Sequence, residues 1–88
     1  MHVTLPEILD LTTAPALRDE LLEALGSGGP VSLGCAAVER VDTAGAQVLV
    51  AFARALERRG GALTWTDLGA PARASLARLG VAQQLTLA

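Results

Sequence analysis

The chain has few aromatic residues and few positive charges, and both shortages exclude classes of function. Aromatic side chains make up 2% of the 88 residues, so nucleic-acid bases would find almost nothing to stack on. The 7 Lys and Arg residues are outnumbered by 9 Asp and Glu residues, which leaves a net charge of −2 and no basic patch. We therefore expect no nucleic-acid partner.

The chain also lacks an apolar run long enough to span a membrane, an N-terminal signal pattern and a second cysteine. The uncharged run over residues 44–53 is far shorter than the ~20 residues that cross a bilayer. No basic-then-apolar segment opens the sequence, so the default expectation is a cytoplasmic protein without direct membrane insertion. Cys35 has no partner for an internal disulfide, and its apolar neighbours favour a buried thiol.

Apolar residues are plentiful, which indicates a folded core. They amount to 51% of the chain, and the scarcity of aromatics means that Leu, Val and Ala must fill the interior. A chain of this length supports one domain, so we predict a single domain over residues 1–88.

Strand patterns alternate with helix patterns along the chain. In chain order the predicted segments are two extended pieces around Pro6 within residues 3–11, a helix ending at Gly26, a strand over 31–35, a helix over about 44–59, a strand over 63–66, a helix from Pro71 to Gly80 and a short apolar tail over 81–87. This order predicts an α/β fold, with an approximately four-stranded, mixed but largely parallel sheet packed with about three to four helices.

Two of the helices have informative details. Thr12 and Thr13 offer hydroxyls that can cap the first helix, and Pro15 suits its first turn. The second helix is predicted to bury an apolar stripe of Leu49, Phe52, Ala53 and Leu56. Its opposite side is polar and consists of Gln47, Arg54 and Arg58.

The junction before the second helix is the segment that bears most on function. Asp42 or Thr43 is placed at the N-cap, where a short oxygen-bearing side chain binds a free backbone N–H. The simpler interpretation is a cap and a tight turn. The functional interpretation adds that an exposed hydroxyl here is accessible to a kinase, and that a phosphate would meet free N–H groups and the positive end of the helix dipole. It would add about −1.5 to −2 charges to the local surface.

Residues 38–45 read Val-Glu-Arg-Val-Asp-Thr-Ala-Gly after an apolar strand, and together with residues 9–17 they resemble the signature of the STAS domain family, which includes anti-sigma factor antagonists and some transporter subunits. The family pattern is an apolar strand, a short link, and Asp-Ser-Ser-Gly or Asp-Thr-Ala-Gly opening a helix. The matching positions are the strand over 31–35 followed by Val38, Val41, Asp42, Thr43 and Gly45. Upstream, residues 9–17 resemble the family's Leu-Asp-x-x-Thr-Ala-x-x-Leu segment.

The resemblance implies a regulatory domain that is not an enzyme and holds no cofactor or metal. By residue match, Thr43 would be the phosphorylation site of an anti-sigma factor antagonist. The implied partner is an anti-sigma factor that is also a serine kinase, which the unphosphorylated form binds. The partner surface would comprise Asp42, Thr43, Ala44, Gly45 and Gln47.

Other partners stay open at this point. Asp-Thr-Ala-Gly also resembles the STAS subunit of the bacterial lipid-asymmetry ABC transporter, which would make the transporter's ATPase the partner. The segment over residues 5–11 resembles short STAS proteins associated with chemotaxis signalling. A helix face rich in Ala and Leu can also pair with itself, so a homodimer is a further alternative.

The remaining reactive residues are better explained by structure than by chemistry. His2 is the only histidine and has no cysteine nearby, which argues against a metal site or a general base. Ser75 lies within a predicted helix and not at a nucleophile elbow. The arginines at 54, 58 and 59 form either a solvated helix face or a rim for an acidic partner.

Overall fold

The computed structural model describes residues 1–85 and has an α/β architecture. The strands and helices are β1 (His2–Thr4), β2 (Ile8–Leu9), α1 (Ala14–Gly26), β3 (Val31–Gly34), β4 (Arg40–Val41), α2 (Thr43–Arg58), β5 (Leu63–Thr66) and α3 (Ala70–Arg78). The α/β class, the parallel pairing and the presence of three helices confirm the fold predicted from the sequence.

The strands form two parallel sheets. The larger has the order β1-β3-β5, with Val3 opposite Leu33 and Leu33 opposite Trp65. The smaller pairs β2 with β4, with Leu9 opposite Val41. The strand count differs slightly from the predicted four, because β4 is too short to be visible in the sequence pattern and pairs only with β2.

Pro6 separates β1 from β2, as its position in the sequence predicts. The backbone N–H of Leu5 still donates to the carbonyl of Gly34, at 2.9 Å. Proline has no N–H with which to extend this ladder, and the chain then turns away to form β2 beside β4.

The core consists mainly of Leu, Val and Ala side chains, as the composition predicts, together with Phe52 and Cys35. The α1 residues Leu17 and Leu21 are buried, and α2 buries Leu49, Phe52 and Leu56. The opposite stripe of α2 is exposed, including Gln47, Arg54 and Arg58, so the predicted amphipathic pattern is confirmed.

Helix ends fall within about two residues of the predicted positions. Helix α2 ends at Arg58, and Gly60 follows with φ of +71°, a conformation that glycine adopts without a steric penalty. Of the predicted tail over 81–87, residues 82–85 form a turn and Leu85 is buried, and the last two residues lie outside the described part of the chain.

Candidate functional site

The junction between β4 and α2 lies against β2, which fixes its position. The backbone N–H of Asp42 donates to the carbonyl of Leu9 at 2.9 Å and so extends the ladder by one bond. Helix α2 starts at the next residue, Thr43. The predicted strand-to-helix junction is therefore present, and a paired strand anchors it.

Asp42, and not Thr43, is the N-cap of α2. Its backbone is extended, with φ of −103° and ψ of −175°, and its Oδ1 accepts hydrogen bonds from the N–H groups of Ala44 at 3.1 Å and Gly45 at 3.4 Å. Its carbonyl accepts the first helical bond, from Ala46, at 2.9 Å. A single residue thus satisfies three N–H groups of the first turn.

Thr43 is exposed at the first helical position. The expectation that a phosphate here would meet free N–H groups is narrowed by the structure, because Asp42 already binds those of Ala44, Gly45 and Ala46, which leaves the N–H of Thr43 itself. A phosphate on Thr43 would instead stand beside the Asp42 carboxylate, at the positive end of the helix dipole.

The five residues predicted to contact a partner differ in exposure. Thr43 and Gln47 are exposed and lie one turn apart on α2, whereas Asp42 and Ala44 are half-buried. Gly45 is buried, and a Cβ atom on it would lie 2.6 Å from the Leu9 carbonyl oxygen and 2.7 Å from the Leu9 Cβ. Gly45 therefore allows α2 to sit closely on β2 and offers no surface of its own.

A second polar turn, centred on Asp10, lies beside this junction. The Asp10 Oδ1 accepts hydrogen bonds from the N–H groups of Thr12 at 2.9 Å and Thr13 at 3.1 Å, and its Oδ2 lies 3.9 Å from Nη2 of Arg40. The expectation that a threonine hydroxyl caps α1 is wrong. The Thr13 hydroxyl donates to the Ile8 carbonyl at 2.9 Å and accepts from the Asp10 N–H at 3.0 Å, which ties β2 to the start of α1.

The sequence interpretation did not assign Asp10 a role, although it lies in the Leu-Asp motif over residues 9–17. The Leu9 carbonyl accepts a hydrogen bond from the Asp42 N–H, and Asp10 pairs with Arg40. The two motifs that carried the resemblance are therefore in contact. Their register could have indicated this contact, because parallel strands place their following loops at the same edge.

An apolar groove of about 660 Å³ runs between α1 and α2 and begins at the same junction. Its lining residues are Ala14, Arg18, Leu21, Leu22, Leu25, Ala44, Gln47, Val48, Ala51, Phe52 and Ala55. Leu22 is 51% exposed, which is high for a large apolar side chain in a helix. The sequence interpretation missed this groove because it assigned each helix a single apolar face toward the core and did not consider the surface between α1 and α2.

The other reactive groups are placed as structural residues. Burial raises the pKa of the Cys35 thiol to about 11, with a smaller contribution from the negative charge of Asp67, so the thiol stays protonated at neutral pH. The His2 Nδ1 lies 2.6 Å from the Ser32 Oγ, and the Ser75 hydroxyl lies 3.3 Å from Nη2 of Arg78. Within residues 1–85 no three His, Cys, Asp or Glu side chains are grouped as metal ligands.

A family model described as Mlab, STAS domain matches residues 1–87. The chain belongs to the STAS domain family. No curated protein matches it. STAS domains are generally non-enzymatic binding modules that mediate protein–protein interactions, so the membership supports a regulatory or binding role for this one. No helix of this STAS domain, over the described residues, has the length and apolar character needed to cross a bilayer.

Proposed function

We propose that this STAS domain is an anti-sigma factor antagonist-like module that docks a kinase-type anti-sigma factor through the start of α2. The observation that carries the proposal is the exposure of Thr43 at a junction that the Asp42 cap and a hydrogen bond to β2 hold in place. Gln47, exposed one turn further along α2, extends the surface, and Asp42 and Ala44 form its half-buried edge.

The same geometry supports Thr43 as a phosphorylation switch. Because the Asp42 carboxylate already binds the first-turn N–H groups of Ala44 and Gly45, a phosphate on Thr43 finds none of them free. It would place about two further negative charges beside Asp42 on the docking surface. Covering such a surface with a partner requires removing that charge from water, so phosphorylation is expected to release the partner.

A pull-down with the cognate anti-sigma factor tests the switch. Wild type and Thr43→Ala should retain the partner, and Thr43→Glu should lose most of it. Equal recovery with all three proteins would rule the switch out.

A second candidate uses the same surface without phosphorylation, as a subunit that holds the ATPase of a lipid transporter. The capping of α2 by Asp42 is compatible with it, because Asp42 holds the start of the helix without a phosphate. Mass spectrometry of the protein from its native host separates the two candidates. Constant co-purification with an ATPase and no phosphate on Thr43 would favour the transporter subunit, whereas a partly phosphorylated Thr43 would favour the antagonist.

A further inference from the structure

We infer that two copies of this chain associate through the α1–α2 groove, each α1 packing on the partner copy's α2. The inference goes beyond the docking function and does not rest on Thr43, although Ala44 and Gln47 of the docking surface also line the groove. It starts from an apolar strip that runs along the groove and includes Leu22, which is 51% exposed, and the exposed Ala51.

The two helices run in the same direction, side by side. Both begin beside the β2–β4 ladder, and at the far end the Arg59 Nη1 donates to the Leu25 carbonyl at 3.2 Å. The position of a residue along either helix can therefore be measured as its distance from the first residue, Ala14 in α1 and Thr43 in α2. At 1.5 Å per residue, Leu22 and Ala51 both lie about 12 Å from the helix start.

The outer edges of the two helices carry opposite charges, and Arg18, a cation that lines the groove itself, lies 4.0 Å from the acidic edge at Asp19. Asp19 and Glu23 lie four residues apart on the exposed side of α1, and Arg54 and Arg58 have the same spacing on the exposed side of α2. Like charges at this spacing destabilise a helix by themselves. Among residues 1–85, Glu23, Arg54 and Arg58 make no ion pair that would offset this. An acidic edge and a basic edge on one face make that face complementary to itself.

Charge then selects how the copies are arranged. In one arrangement the twofold axis runs parallel to the two helices, so α1 of one copy faces α2 of the other. Leu22 then faces the partner copy's Ala51, because both lie at the same distance from the helix start. The same arrangement brings Glu23 near the partner copy's Arg54, since these residues lie about 14 Å and about 17 Å from the starts of their helices. Both side chains lean away from the groove on the same outer side of the dimer. A twofold axis across the groove would place acidic edge on acidic edge and basic edge on basic edge.

Sedimentation equilibrium of the full chain over a concentration series tests the inference. Wild type should show a monomer–dimer equilibrium. Glu23→Arg and Arg54→Glu should each raise the dissociation constant at least about tenfold, because each places like charges opposite one another twice. The double variant carrying both substitutions restores opposite charges and should associate nearly as well as wild type.

Glu20→Arg is the matched control. Glu20 is exposed on α1, but it lies about 160° around the helix from Leu22, and its reversal changes the net charge as much as Glu23→Arg does. Circular dichroism confirms that each variant is folded. A wild type that stays monomeric throughout, a double variant as weak as the single variants, or a control as weak as Glu23→Arg would overturn the inference. A monomer would leave the groove to a different protein.

Discussion

Asp42 determines where α2 begins, because its extended backbone and its carboxylate together complete the first turn. Replacing it with alanine leaves two first-turn N–H groups without this acceptor. We expect Asp42→Ala to lower the free energy of unfolding by about 0.5–2 kcal/mol. Asp42→Asn should be close to wild type, because asparagine caps about equally well. Urea unfolding measures both, and equal losses in the two variants would contradict a capping role.

Cys35 makes the stability of the protein depend on pH in a window where no other side chain titrates. The folded-state pKa of about 11 lies above that of the unfolded chain, so burial of the neutral thiol stabilises the fold below the unfolded pKa, about 8.5. This contribution is lost as the pH rises toward 11. The sequence has no tyrosine and no lysine, so no other side chain titrates there.

The free energy of unfolding should therefore fall between about pH 8.5 and 11 in wild type, and hardly change in Cys35→Ala. Chemical denaturation at a series of pH values measures both slopes. Parallel slopes would show that the thiol is not the group responsible.

At the scale of elements, the seating of α2 on β2 depends on the absence of a side chain at Gly45. An alanine there would bring its Cβ to 2.6 Å from the Leu9 carbonyl oxygen, so either the helix or the strand must shift. We expect Gly45→Ala to destabilise the fold by about 1–3 kcal/mol. Gly26→Ala is the control, because a Cβ at Gly26 would meet nothing within 4 Å. Urea unfolding that finds the two variants equally stable would contradict the close contact.

The elements differ in how well the sequence predicts them, for physical reasons. Helix α2 could be predicted because its apolar stripe and its polar stripe repeat over 16 residues. Strand β4 could not, since two residues carry no period and the strand exists only through its pairing with β2. Threonine is a common capping residue, but the Thr13 hydroxyl donates to the Ile8 carbonyl instead. Only the folded chain brings this partner into place.

At the scale of the whole molecule, the pairing of β2 with β4 explains why the candidate site lies where these two strands end. Parallel β2 and β4 end together, so the turn at Asp10 and the start of α2 at Asp42 are adjacent although they are far apart in the sequence. The position of Thr43 at a helix start could be predicted from local pattern. The supporting contact with Leu9, and the groove that opens between the helices, arise from tertiary packing and could not.

The proposed docking surface is tested most directly by the dissociation constant for the purified cognate partner, an anti-sigma kinase or a transporter ATPase. Thr43→Glu should raise that constant by more than about tenfold, since it puts a charge on the buried part of the interface. Thr64→Glu, an equal change at an exposed threonine of β5, should leave it unchanged. Equal binding by wild type, Thr43→Glu and Thr64→Glu would contradict a docking surface at the start of α2.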